Sequence, residues 1–289
     1  DKDVPIPARV RMGGGLSFLD TLLGGEERPG LMVGGSYFLT GDPNAGKTTI
    51  TFQMADQLTS QGHVVMYNNT EMIESTIKMV QERLELEHGF GLYACDTDDE
   101  TDDEDFEDLL RSIADGSDRE GLTPDMQLMM DFIDQCRELE QTRGNGDYSA
   151  SDEKVRAYEE ERKKFPNLPP LPKGDDRRVV VFIDSVQSLA ENSDCNPKEI
   201  VYRFDKLANK LKAIVIFLGQ ATKQGVFAGS NKLPHKVTTH VHITVIANEG
   251  ENQVREVCTK KNRAGPCNFV WTRLTNRGHV QTEVDYQDD

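Results

Sequence analysis

The sequence predicts an α/β fold: a mainly parallel sheet with helices on both faces and an antiparallel extension toward the C-terminus. Three observations predict it. The runs "SYFLT", "HVVMYNN", "RVVVFID", "AIVIFLG" and "HVHITVIA" are mostly near-continuous in β-branched and aromatic residues, as in strands buried on both faces. Helical patterns, "TTITFQMADQLTSQG", "ESTIKMVQERLEL" and "PKEIVYRFDKLANKLK", lie between them. A Gly-rich turn joins the first of these strands to the first of these helices. Strands alternating with helices imply a parallel sheet covered on both sides.

That turn carries the first chemistry. Gly41, Asp42, Pro43, Asn44, Ala45, Gly46, Lys47 and Thr48, followed by Thr49, match the P-loop spacing, two glycines four residues apart and then Lys-Thr. Glycine lets successive backbone N–H groups turn inward around phosphates, and the following helix adds the positive end of its dipole. Lys47 is placed to reach the β- and γ-phosphates and the Thr48 hydroxyl to bind Mg²⁺. The strand-to-helix context separates this match from a chance Gly-containing turn, so a nucleotide ligand is expected.

The next strand run, "VVMYNN", is followed by Glu71, where a neighbouring strand end faces the γ-phosphate. Glu71 is the candidate for positioning the attacking water, with an ordinary exposed Glu before a helix as the alternative. Residues 96–176 then interrupt the rhythm. They hold "DTDDETDDEDFED", with ten acidic residues and no basic one, two helical patterns at 126–141 and 151–164, and the proline cluster "FPNLPPLPKG". A strand-to-strand connection needs far less chain, so this stretch reads as an insertion within one domain spanning residues 1–289.

"RRVVVFIDSVQSL" ends its strand at Asp184, the expected second Mg²⁺ residue. "AIVIFLGQ" ends at Gln220, a candidate γ-phosphate sensor or a plain polar strand end. Residues 222–236, "TKQGVFAGSNKLPHK", contain Lys223, Lys232, His235 and Lys236 and no acidic residue, a local reversal of sign. With Gly225 and Gly229 for backbone approach, the segment is the candidate single-strand nucleic-acid contact; Phe227 either stacks on a base or anchors the loop. The last runs, "QVREVCTKK", "NFVWTRLT" and "HVQTEVD", are short strands expected to pair antiparallel.

Charge and cysteines bound the rest. The formal net charge is −17, and the acidic run accounts for ten of those charges, which argues against a generally basic nucleic-acid coat but leaves room for a local basic channel. Such a run reads as a solvated segment. Five scattered cysteines form no C-x-x-C pair, so zinc is not expected, and their odd number suits a reducing compartment. No apolar run is long enough to cross a bilayer, and a cytoplasmic location without membrane contact is expected.

Taken together, "GGGLSFLDTLLGG", "GDPNAGKTT", "FIDSVQSL", "LGQATKQGVFAG" and "KNRAGP" resemble, in order and context, the RecA-like P-loop ATPases and most closely the RadA/Sms family ATPase domain. The resemblance covers roughly residues 13–96 and 177–283. It implies a RecA-like core, ATP as the nucleotide with Mg²⁺, and ATP hydrolysis. It also implies a homo-oligomer, a hexameric ring, that moves on single-stranded DNA in recombination and repair. Lys261 and Arg263 resemble the basic residues that reach a neighbouring subunit's nucleotide, and Glu71 resembles the family's catalytic carboxylate. Ala264 stands where that motif has an aromatic residue. The family's four-cysteine zinc module and protease-like domain have no counterpart in these residues; because the chain opens at Asp1 rather than Met, a preceding module is compatible with it. Two other readings fit the same core: a DnaB-type replicative helicase, and a KaiC-like regulatory ATPase ring with a protein partner at the acidic insertion.

Overall fold

The computed structural model describes residues 6–69, 71–88, 90–93, 178–188, 196–219, 236–248, 250 and 253–283. The insertion at 96–176 lies outside them. In chain order the elements are β1 (Arg9–Val10), α1 (Ser17–Gly24), β2 (Leu31–Met32), β3 (Ser36–Gly41), α2 (Lys47–Ser60), β4 (Val64–Asn69), α3 (Glu74–Leu84) and β5 (Gly91–Tyr93). They continue as β6 (Val179–Asp184), α4 (Pro197–Leu211), β7 (Ile214–Leu218), β8 (Thr239–Val245), β9 (Val254–Asn262), β10 (Phe269–Thr275) and β11 (Gly278–Gln281).

Nine strands form one sheet in the order β11-β10-β9-β8-β3-β7-β6-β4-β5. From β8 to β5 every pairing is parallel, and from β8 to β11 every pairing is antiparallel. The expected division of the sheet is therefore borne out. The two-stranded β1–β2 ribbon and the short β5 were not expected, because two- and three-residue strands leave no periodicity to read. β4 pairs with both β5 and β6, so residues 94–178 leave one side of β4 and return on the other.

Helices cover both faces, as the continuous apolar strands require. Tyr37, Leu39, Val65, Tyr67, Val180, Phe182, Ile214 and Ile216 share one core with residues of α1, α2 and α3. Their chain neighbours Phe38, Met66, Ile183, Val215 and Phe217 are equally buried but point the other way, toward α4, where Phe204 meets Phe217 edge-on at 6.0 Å. α4 begins at Asn196, whose side chain accepts from Lys198 N, with Pro197 in the first turn.

An aromatic cluster lies under the C-terminal end of β4. Tyr67 stacks on Phe182 at 5.2 Å and meets Phe52 edge-on at 4.9 Å, and Phe90 closes the group. Each such pair adds roughly 0.5–1.5 kcal/mol beyond the area it buries. The cluster holds the Tyr67 ring rigid and delivers its hydroxyl to the sheet end.

Candidate nucleotide site

The C-terminal ends of β3, β4, β6 and β7 open into a cavity of about 920 Å³ lined by the P-loop, Glu71, Asp184, Ser185, Leu218 and Gly219. Its far wall is Arg83 of α3 and Arg273 to Asn276 of β10 and its turn. The P-loop leaves β3 with Asp42 N bonded to Ile243 O and the Asp42 carboxylate accepting from Val245 N, so β8 braces its first residue. Gly46, at φ +87, is the N-cap of α2 and has no side chain to satisfy the first-turn amides. A phosphate fits that open ring of donors.

Lys47, Thr48, Glu71 and Asp184 converge here as expected from the spacing. Lys47 Nζ folds back over its own loop and donates to Gly41 O at 3.1 Å and Asp42 O at 3.2 Å. Burial holds its pKa below the usual amine value, against the attraction of Asp184, Glu71 and Asp42. Thr48 Oγ1 donates to Asp184 Oδ2 at 3.0 Å, and Tyr67 OH donates to the same oxygen at 3.1 Å. Burial first, and then the nearby Glu71 carboxylate, push Asp184 up to about 6. A buried carboxylate oxygen beside a hydroxyl, disfavoured in its charged state, is a donor set suited to Mg²⁺, whose charge would stabilise the anion. Pro43, Asn44, Ala45 and Thr49 line the same cavity.

Lys261 and Arg263 are not in this cavity. β9 runs antiparallel to β8, so Arg255 sits at the P-loop end, where its Nη2 donates to Asn44 O at 3.5 Å, and Asn262 pairs with Thr239 at the opposite end. The eight residues from Arg255 to Arg263 correspond to roughly 25 Å of strand. The chain's own P-loop is out of their reach. The structure also accounts for the motif around them: Asn262 Nδ2 donates to Leu23 O at 3.1 Å and to Pro266 O at 2.9 Å, tying the turn to the end of α1. Gly265 passes so close that a Cβ would stand 2.7 Å from Gly24 O. Lys261 Nζ donates to Val237 O at 2.5 Å and is pushed down to about 8 by burial and by Arg263 beside it. Arg263 is exposed.

Of the candidate nucleic-acid residues, Lys236 is described. It is exposed, with Nζ 5.8 Å from the Tyr202 ring centre, while Lys206 Nζ lies 4.3 Å from the same ring. Gln220, Lys223, Phe227, Lys232 and His235 lie outside the described residues. Among the described residues there is no cluster of three or more His, Cys, Asp or Glu suited to a metal, and no helix is long and apolar enough to cross a membrane. Sequence reasoning missed Tyr67, Arg255 and His279, whose contacts with the site come from packing between distant strands; the one signal was a Tyr in an otherwise apolar strand ahead of Glu71.

This fold, with a P-loop at the end of a parallel sheet and an antiparallel extension, is that of the RecA-like P-loop ATPase domains. A KaiC-like protein from Pyrococcus horikoshii OT3 matches it with a TM-score of 0.53 and 14% identity over 96% of this chain and 100% of that one. A second solved ATPase domain matches with a TM-score of 0.54 and 16% identity over 96% and 93%. In sequence, the chain is similar to the DNA repair protein RadA of Brucella abortus, at 25% identity over 90% of this chain and 42% of the relative. RadA of Campylobacter jejuni is 22% identical over 92% and 45%, and RadA of Streptococcus pyogenes 24% identical over 93% and 44%. The chain thus spans less than half the length of these curated relatives. No family model matches it.

Proposed function

We propose that this chain is a single RecA-like ATPase domain that hydrolyses ATP with Mg²⁺ and acts as a homo-oligomeric motor on single-stranded DNA, as a RadA-like protein does. The observation that carries the ATPase reading is the convergence of Lys47, Thr48, Glu71 and Asp184 at one end of the sheet. The P-loop amides and Lys47 hold the phosphates, and Thr48 and Asp184 hold the metal. Bound there, Mg²⁺ would neutralise charge on the phosphate oxygens. Glu71 takes the proton of a water whose oxygen bonds to the γ-phosphorus as the bond to the departing ADP oxygen breaks. Arg263, exposed and far from its own P-loop, is placed to serve the cavity of an adjacent copy, which favours a ring.

Support for DNA comes from the basic character of residues 222–236 in an acidic chain, and from Lys206, Tyr202 and Lys236 at the foot of that segment. A DnaB-type helicase shares every one of these features. The KaiC-like reading draws on the acidic insertion at 96–176, which could engage a protein partner. Steady-state ATP turnover with and without single-stranded DNA separates these classes. Lys47→Ala should abolish turnover and weaken nucleotide binding. Glu71→Gln should bind ATP normally and lose turnover by about 10²–10⁴-fold. Wild-type turnover in Glu71→Gln removes that residue from the mechanism, and turnover indifferent to DNA removes the motor.

A further inference from the structure

The P-loop is held from the far end of the chain by a side chain that the chemistry above does not use. His279, on β11, is 1% exposed and its Nε2 lies 3.1 Å from Gly46 O. A carbonyl oxygen can only accept, so Nε2 carries the hydrogen. Nδ1 is then the lone-pair nitrogen and accepts from Thr272 Oγ1 at 2.9 Å, which fixes the tautomer. Burial, with the nearby Arg255 charge adding to it, holds the ring pKa down at about 4, so the imidazole is neutral across the neutral range.

The backbone of the same residue is clamped as well. His279 N donates to Gln53 Oε1 at 2.8 Å, and Gln53 Nε2 donates to His279 O at 3.3 Å, so α2 and β11 are joined in both directions. Arg83 Nη1 donates to Asn276 O at 3.0 Å and ties the β10–β11 turn to α3. The approach to Gly46 is so close that a Cβ there would collide with His279 Nε2. The helical bond from Ile50 N to Gly46 O, at 3.0 Å, would exist in any helix with this N-cap; the imidazole is the additional donor.

We infer that His279 is a positioning residue for the phosphate cradle. Because the Gly46–Lys47 peptide is planar and trans, fixing its carbonyl on the imidazole fixes the Lys47 N–H on the opposite side. That N–H is one of the P-loop donors to the nucleotide phosphates. The antiparallel hairpin thereby sets the aim of the P-loop, and nucleotide affinity depends on a residue 233 positions away in sequence. The inference rests on the nucleotide-binding reading and specifies what orients its donors.

The test uses the full chain and fluorescent ADP and ATP analogues, with EDTA present so that metal contacts at Thr48 and Asp184 do not contribute. Two substitutions are compared: His279→Gln, which keeps an N–H donor, and His279→Leu, which keeps the volume and loses the donor. His279→Leu should weaken ADP and ATP by the same factor, about tenfold for a buried hydrogen bond to the cradle. His279→Gln should stay within about threefold of wild type, with both variants compared well below their melting temperatures. In Mg²⁺-supported turnover the KM should rise by more than kcat falls. Equal affinity of His279→Leu and wild type overturns the inference, as does an equal loss in both variants, which would mark the ring as simple packing. Should His279→Leu not fold, Thr272→Val, which releases the tautomer, must give a measurable loss or the inference falls. If the wild-type protein binds neither analogue, with or without Mg²⁺, the nucleotide reading itself fails.

Discussion

The two ends of the central sheet differ in how their polar groups are used. At the C-terminal ends of β3, β4 and β6, the site's side chains are turned on one another: Thr48 and Tyr67 on Asp184, Lys47 on its own loop, Asp42 on β8, and His279 on Gly46. At the other end, Asn262 and Lys261 serve the fold, while Arg263 and Lys236 are exposed. One end thus holds the cavity, and the other presents an exposed cation a full strand length from it. Two copies stacked end to edge would complete each other. Within a single chain, roughly 25 Å of β9 keeps the halves apart.

The largest effect that would break this picture is at Arg263. Arg263→Ala should lower ATP turnover by about 10³-fold or more, the scale of cations supplied in trans to a γ-phosphate, while ATP binding to the P-loop persists. Mixing it with Lys47→Ala should restore part of the activity, because an intact P-loop then faces an intact Arg263 across some interfaces. Absence of rescue in mixtures that demonstrably co-assemble, or full turnover by a strictly monomeric preparation, would dissolve the contrast between the ends.

A smaller effect sharpens the outer end. Tyr202→Ala should weaken single-stranded DNA binding by about tenfold with little change in its salt dependence, since ring stacking is not ionic. Lys206→Ala with Lys236→Ala should instead flatten the slope of affinity against salt by about 0.7 for each phosphate no longer neutralised. Titrations at several salt concentrations separate the two; identical slopes in wild type and the double-lysine variant would show that the strand does not run past α4.

The smallest effect probes the inner end without nucleotide. Asp184 has a pKa raised to about 6, so its charge is a cost in the folded protein: stability is fullest below the unfolded value near 3.8 and falls as pH rises through about 6. Asp184→Asn removes that cost. In metal-free buffer it should melt a few degrees higher than wild type at pH 7, with the difference disappearing near pH 4, as expected for a gain on the order of 2 kcal/mol. A variant that melts lower at pH 7 would mean that the carboxylate's hydrogen bonds outweigh its burial. The same change should abolish Mg²⁺-dependent turnover.

Local physics made much of this protein legible. Continuous β-branched runs can only be strands covered on both sides, and a Gly-x4-Gly-Lys-Thr turn between strand and helix can only leave its amides turned inward. The parallel sheet, the antiparallel extension and the convergence of Lys47, Thr48 and Asp184 therefore followed from spacing along a few residues. The order of strands was beyond such reasoning, because β3 lies between β7 and β8, both of which come late in the chain. That order alone brings Val245 to Asp42, Arg255 to Asn44 and His279 to Gly46, and sends Arg263 to the far end. Each of these pairings joins residues from opposite halves of the chain or spans one full strand length. No local pattern records them, since a side chain's partner across a sheet is set by register and direction, and those are decided only when the whole sheet closes on its core.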